Sequence, residues 1–163
     1  MYHHKPIIAI NMPNKEINIR FAREDECGVI LSLINSLAVY EKMEDDVAAT
    51  VEDLHTTLFV NHDAEVLLAE YRGEVVGFAL FFHNFSTFLG KAGLYLEDLF
   101  VKEEARGKGI GKSLLQALTR IATERNYGRM EWCCLNWNQK SIDFYLHIGA
   151  RPLDDWTTYR VSL

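Results

Sequence analysis

The run Arg106-Gly107-Lys108-Gly109-Ile110-Gly111-Lys112-Ser113 stands between an apolar strand, Gly93–Val101, and an amphipathic helix, Gly109–Asn126. A glycine-rich turn between a strand and a helix lets backbone amides converge at the helix N-terminus. Beyond that helix, Arg129–Leu135 reads as another strand. A strand, crossover helix and strand in one sheet make the two strands parallel neighbours. This stretch alone therefore fixes one α/β crossover.

The turn suits an anionic ligand, because unpaired N–H groups and the positive end of the helix dipole both favour phosphate. Two familiar phosphate motifs fail on counting. A P-loop needs a glycine where Arg106 stands, although Gly111-Lys112-Ser113 supplies its end. A dinucleotide fingerprint needs a third glycine where Lys112 or Leu114 stands. What remains is R-x-x-G-x-G, carried by Arg106, Gly109 and Gly111.

Elsewhere the periodicities are plain. Ile17, Ile19 and Phe21 alternate as in a half-buried strand, and residues 1–16 read as a tail or a loose extra strand. Val29, Ile30, Leu33, Ile34, Leu37 and Tyr40 recur at three and four, predicting a helix that ends near Lys42. Thr50-Val-Glu-Asp53 resembles a capping box opening a short helix towards Leu58. Glu65–Tyr71 and Val75–Phe82 read as strands joined at Arg72-Gly73-Glu74. Ser141–Ile148 predicts a short helix stopped by Gly149, and Trp156–Val161 a closing strand. This order implies a mixed sheet flanked by helices in a single domain, residues 17–163.

The chain has 163 residues, 48% hydrophobic, with Lys+Arg 17 against Asp+Glu 23 and a net charge of −6. That sign argues against a non-specific nucleic-acid binder and is compatible with a cationic substrate. Cys27, Cys133 and Cys134 lack the spacing of a disulfide framework or a metal site, so they read as reduced, core-type thiols. His3 and His4 read as solvated, and no metal is expected. No apolar run is long enough to span a membrane and no signal peptide is visible at Met1–Pro6, so a cytoplasmic protein is expected.

After the loop comes Asn138-Gln-Lys-Ser141-Ile-Asp-Phe144-Tyr145-Leu-His-Ile-Gly149-Ala150. Read locally, Asn138 and Ser141 form a helix cap, with Phe144 and Tyr145 as core aromatics. Together with R-x-x-G-x-G, however, the segment resembles the two signatures of the GNAT superfamily of N-acetyltransferases. Within it, Leu94-Tyr-Leu-Glu97-Asp98-Leu-Phe-Val101, Leu37-Ala-Val-Tyr40-Glu41-Lys-Met43-Glu44 and Phe88-Leu-Gly90-Lys91 are similar to stretches of the spermidine/spermine and thialysine acetyltransferases. Departures are Ile148 where relatives often carry a basic residue, Phe88 where they often carry Trp, and an acidic C-terminal segment shortened to Asp154-Asp155.

The resemblance implies a GNAT-type α/β fold: a mixed, mostly antiparallel sheet with one parallel strand pair around the acetyl-CoA site. It implies acetyl-CoA as co-substrate, bound by Leu99, Phe100, Val101, Arg106, Gly107, Lys108, Gly109, Ile110, Gly111 and Lys112, with Asn138 and Ser141. Glu97 is the implied substrate-facing carboxylate, Tyr145 the implied acid for the leaving thiolate, and a backbone N–H around Phe100–Val101 the implied oxyanion donor. Tyr40, Glu41, Glu97, Glu131, Trp132, Cys133 and Asp155 are the implied acceptor contacts, and the active unit is expected to be a homodimer.

The chemistry is consistent with these types. A free alkylamine is neutral in fewer than about one molecule in a thousand at pH 7, and a carboxylate can bind the cation and, directly or through water, take its proton. A phenol stays protonated at that pH and can donate to a thiolate. On strand alternation Asp98 faces away from Glu97 and is the weaker base. Glu97 also reads as a solvent-facing carboxylate, and Glu41 as a solvated helix end. The expected function is acetylation of a small polyamine or diamine, with a thialysine-like amino acid, or a catalytically weak acetyl-CoA-binding sensor, as alternatives.

Overall fold

The structure, a computed structural model, describes residues 14–163. The expected N-terminal tail up to residue 13, with His3 and His4, lies outside the described residues. The described chain divides into two compact units, residues 14–133 and Cys134–Leu163.

The first unit is built on five strands in the order β1-β2-β3-β4-β5: β1 Ile17–Phe21, β2 Glu65–Tyr71, β3 Glu74–Ser86, β4 Lys91–Val101 and β5 Met130–Trp132. All neighbours are antiparallel except β4 and β5, where Leu94 faces Met130 and Leu96 faces Trp132 in parallel. The crossover between those two strands is α3, Ile110–Glu124, as the sequence order requires. Arg72 and Gly73, both at positive φ (52° and 85°), close the β2–β3 hairpin.

One sheet face carries α1, Cys27–Glu41, and α2, Val51–His55, which continues as a π-helical turn over Thr56–Val60. Ile30, Leu33 and Leu37 bury against Val66, Leu68, Phe78 and Phe100 on this face. Each fully buried Leu, Ile or Phe stabilises the fold by about 1.5–3 kcal/mol. The alternate residues Leu67, Ala69, Ala79, Phe81, Leu94 and Leu96 are buried on the opposite face, where α3 contributes Ile110, Leu114, Leu115 and Leu118. Arg125, at the C-cap of α3, pairs with Glu65 at the start of β2 and ties the helix end to the sheet. α1 ends as periodicity predicts: Lys42 adopts a left-handed conformation (φ 60°) and returns its N–H to Ala38 and Val39 carbonyls.

The regular ladder of β4 breaks at one point. Asp98 faces Leu80 on β3 and Leu96 faces Phe81, leaving Glu97 as the extra residue of a β-bulge. The bulge reverses the alternation, so Leu94 and Leu96 lie on the α3 face while Phe100 joins the α1 core.

The second unit centres on α4, Gln139–His147. Asn138 is its N-cap and accepts from the Ser141 N–H at 3.2 Å, and Gly149 follows the helix at φ 88°. Two expectations are corrected. Trp156–Val161 forms no strand: these residues pair with no ladder among the described residues, and Trp156 and Tyr159 stand 81% and 90% exposed. A strand needs a partner's hydrogen bonds as well as β-prone residues. The thiols are not all core residues either. Cys27 is buried, but β5 stops at Trp132, so Cys133 has left the sheet and is exposed.

Candidate active site

The loop after β4 is a cradle for an anion. Gly107 and Gly109 hold φ of 77° and 83°, a region that disfavours a side chain. Gly109 is the N-cap of α3, and the first helical bond runs from Ser113 N–H to its carbonyl at 3.0 Å. The amides of Ile110, Gly111 and Lys112 precede that bond, at the positive end of the helix. Lys108 and Lys112 add cationic charge, with Lys108 Nζ donating to the Glu104 carbonyl at 2.9 Å. These residues fit the pyrophosphate of acetyl-CoA.

Arg106 uses its side chain on the protein itself. Its Nε donates to the Val101 carbonyl at 2.8 Å, and its guanidinium lies 4.6 Å from the Tyr40 ring centroid and 5.7 Å from that of Phe100. Tyr40 is therefore stacked on an internal cation. Leu99 and Val101 are half-buried and Phe100 buried at the end of β4.

Beside this end of β4 lies a set of carboxylates. Asp98, half-buried, is pushed up from 3.8 to about 6 by burial first, then by the negative charges of Glu97 and Glu41. Glu41, the last residue of α1, is also raised by burial. Glu97, on the bulge, is exposed. Strand alternation carries no mark of this bulge, which sets the faces of Glu97 and Asp98. Farther along β4, the Tyr95 hydroxyl lies 3.2 Å from Cys133 Sγ, and its pKa is pushed up to about 12 by that hydrogen bond and by burial. Glu131 accepts from Asn84 Nδ2 at 3.1 Å and pairs with Arg129 at 3.2 Å, while Trp132 ends β5 half-buried.

In the second unit, Asn138 is buried as the cap of α4. Tyr145 is half-buried beside Phe144, their ring centroids 5.5 Å apart, and Asp155 is exposed. A surface concavity of about 460 Å³ lies at the other end of α1, lined by Glu24, Asp25, Cys27, Gly28, Val51, Glu52 and His55. It contains none of the loop, carboxylate or aromatic groups of the site, and its Glu24–His55 pair (2.7 Å) accounts for its main polar contact. Among the described residues no helix is long and apolar enough to cross a membrane.

Comparison with known proteins agrees with this geometry. The family model "Acetyltransferase (GNAT) family" matches residues 30–150. The chain is 36% identical to the thialysine N-epsilon-acetyltransferase of Sus scrofa, over 87% of this chain and 90% of that one. It is 34% identical to spermidine/spermine N(1)-acetyltransferase-like protein 1 of Homo sapiens, over 88% of this chain but 22% of that longer one. Among solved structures, an integron cassette protein from the mobile metagenome of V. cholerae superposes with a TM-score of 0.77 at 29% identity, covering 91% of this chain and 94% of that one. The glycine cradle at the head of α3 and the match across it place the chain in the acetyltransferase (GNAT) family, as an enzyme of acetyl transfer.

Proposed function

We propose that this enzyme acetylates a primary amine of a small polyamine or diamine, one that carries a second cationic nitrogen. The observation behind this reading is the grouping of Glu41, Glu97 and Asp98, in which Asp98 is raised by burial and by the other two carboxylates. Like charges so arranged cost free energy, and a polycation at the site would offset that cost. The thialysine reading has its own support in the name of the Sus scrofa relative: a diamino acid also presents a second ammonium.

Acetyl-CoA supplies the acetyl group on an activated thioester. Backbone amides from Gly107 to Lys112, with Lys108 and Lys112, hold its phosphates, and the end of β4 at Leu99–Val101 lines its approach. Glu97 binds the reacting ammonium and removes its proton, directly or through water, so that the neutral amine is the nucleophile. Glu41 and Asp98 hold the second ammonium. Tyr145 donates its phenolic proton to the departing thiolate, a role drawn from the signature around Asn138, Ser141 and Gly149.

The test is CoA thiol release with spermidine, spermine, putrescine, thialysine, lysine and a lysine peptide. Release with polyamines or diamines ahead of the amino acids supports the first reading. Preference for thialysine selects the second, and silence with every amine despite acetyl-CoA binding overturns both and leaves either an unusual acceptor or a sensor.

A further inference from the structure

The Arg106 guanidinium joins two parts of the site that the chain leaves far apart in sequence. On one side it donates to the Val101 carbonyl, where β4 gives way to the glycine loop. On the other it lies on the ring of Tyr40, the residue before Glu41 at the end of α1. Phe100 closes a second aromatic side at 5.7 Å. A planar guanidinium suits this position because one edge donates while its faces stack, and a lysine ammonium cannot do both. Cation–π contacts strengthen as the cation leaves water, and Arg106 is half-buried here.

We infer that Arg106 is a positioning residue that fastens the acetyl-CoA loop to the Tyr40 end of α1, so that the aromatic ring of Tyr40 sets CoA affinity although it stands on the acceptor side. This deepens the proposed function and rests on it for the placing of the acceptor beside Glu41. The ring face of Tyr40 then serves Arg106, and the acceptor is left to the carboxylates. Loss of the ring frees the guanidinium, loosens its hold on the Val101 carbonyl and lets the loop depart from the conformation in which its amides converge.

The experiment measures CoA dissociation constants by calorimetry for the full-length chain, Tyr40→Phe, Tyr40→Leu, Arg106→Lys and the double variant Arg106→Lys/Tyr40→Leu. Thermal unfolding confirms that each is folded. Tyr40→Leu is expected to weaken CoA about fivefold, the scale of one cation–π contact that is still partly open to water. Tyr40→Phe, which keeps the ring, should bind within about twofold of the unmodified chain. Arg106→Lys should lose as much as Tyr40→Leu, and the double variant no more than the worse single one, because both remove the same bridge. Unchanged CoA affinity in Tyr40→Leu, equal loss in Tyr40→Phe, or losses that multiply in the double variant would each overturn the inference. The CoA readout needs no acceptor, so failure of every amine to be acetylated removes the acceptor reading while this pattern of affinities still decides the bridge.

Discussion

Two carboxylates of the first unit sit in opposite surroundings. Glu26, buried just ahead of α1, accepts from Arg20 through both oxygens at 2.8 Å, from Arg23 Nη2 at 3.0 Å and from the Arg23 N–H at 2.8 Å. The Arg20 hydrogen bonds hold it down from 4.5 to about 2. Asp98, on the strand leading to the glycine loop, is shifted by burial, Glu97 and Glu41, and all three push it up. Glu26 is completed by the protein's own cations and fixes the junction of β1 and α1. No cation is among the groups that shift Asp98. The contrast is between a carboxylate paired inside the fold and one whose ionised form the fold disfavours, the property that the proposed acceptor site uses.

The largest expected effect is on the structural side. Glu26→Gln leaves Arg20 and Arg23 without their shared carboxylate and should cost about 3 kcal/mol of stability, read from denaturant unfolding. Acetyl transfer per folded molecule should be unchanged, and a kinetic loss at equal folding would blur the contrast. Glu97→Gln should do the reverse. Steady-state thiol release should fall about a hundredfold in kcat, with the unfolding midpoint held.

pH sharpens the same comparison. Glu26 binds its proton less tightly folded than unfolded, so its stabilisation is present above about 4.5 and lost as pH falls towards 2. Asp98 binds its proton more tightly folded than unfolded, so stability falls as pH rises from about 4 to about 6. Asp98→Asn should remove that decline and gain about 1 kcal/mol at pH 8, allowing for solvent screening of a half-buried group. Unfolding curves at pH 2.5, 4, 6 and 8 check both signs. A variant no more stable than the original at pH 8 would mean that Asp98 is already compensated.

Much of this was legible in sequence. The period of Val29–Tyr40 placed α1 to within a residue of its end, and the strand–glycine–helix run placed the crossover and its parallel pair. Asn138 proved to be the helix cap that its local reading offered. The bulge was not legible, because Leu94–Val101 reads as one alternating strand whether or not Glu97 is paired. Nor could Tyr40 be seen to meet Arg106, since an aromatic at a helix end and an arginine in a loop declare no partner. Trp156–Val161 has β-prone residues and lacks a ladder, and residue type alone does not reveal whether an edge is available.

The most direct measurement compares kcat/KM for 1,4-diaminobutane and n-butylamine, which differ by one ammonium, in the unmodified enzyme and in Glu41→Gln. The diamine should be preferred about tenfold or more, and removing the Glu41 charge should take away most of that preference. Equal use of the two amines, or a preference untouched by Glu41→Gln, would contradict the claim that these carboxylates hold a second cation.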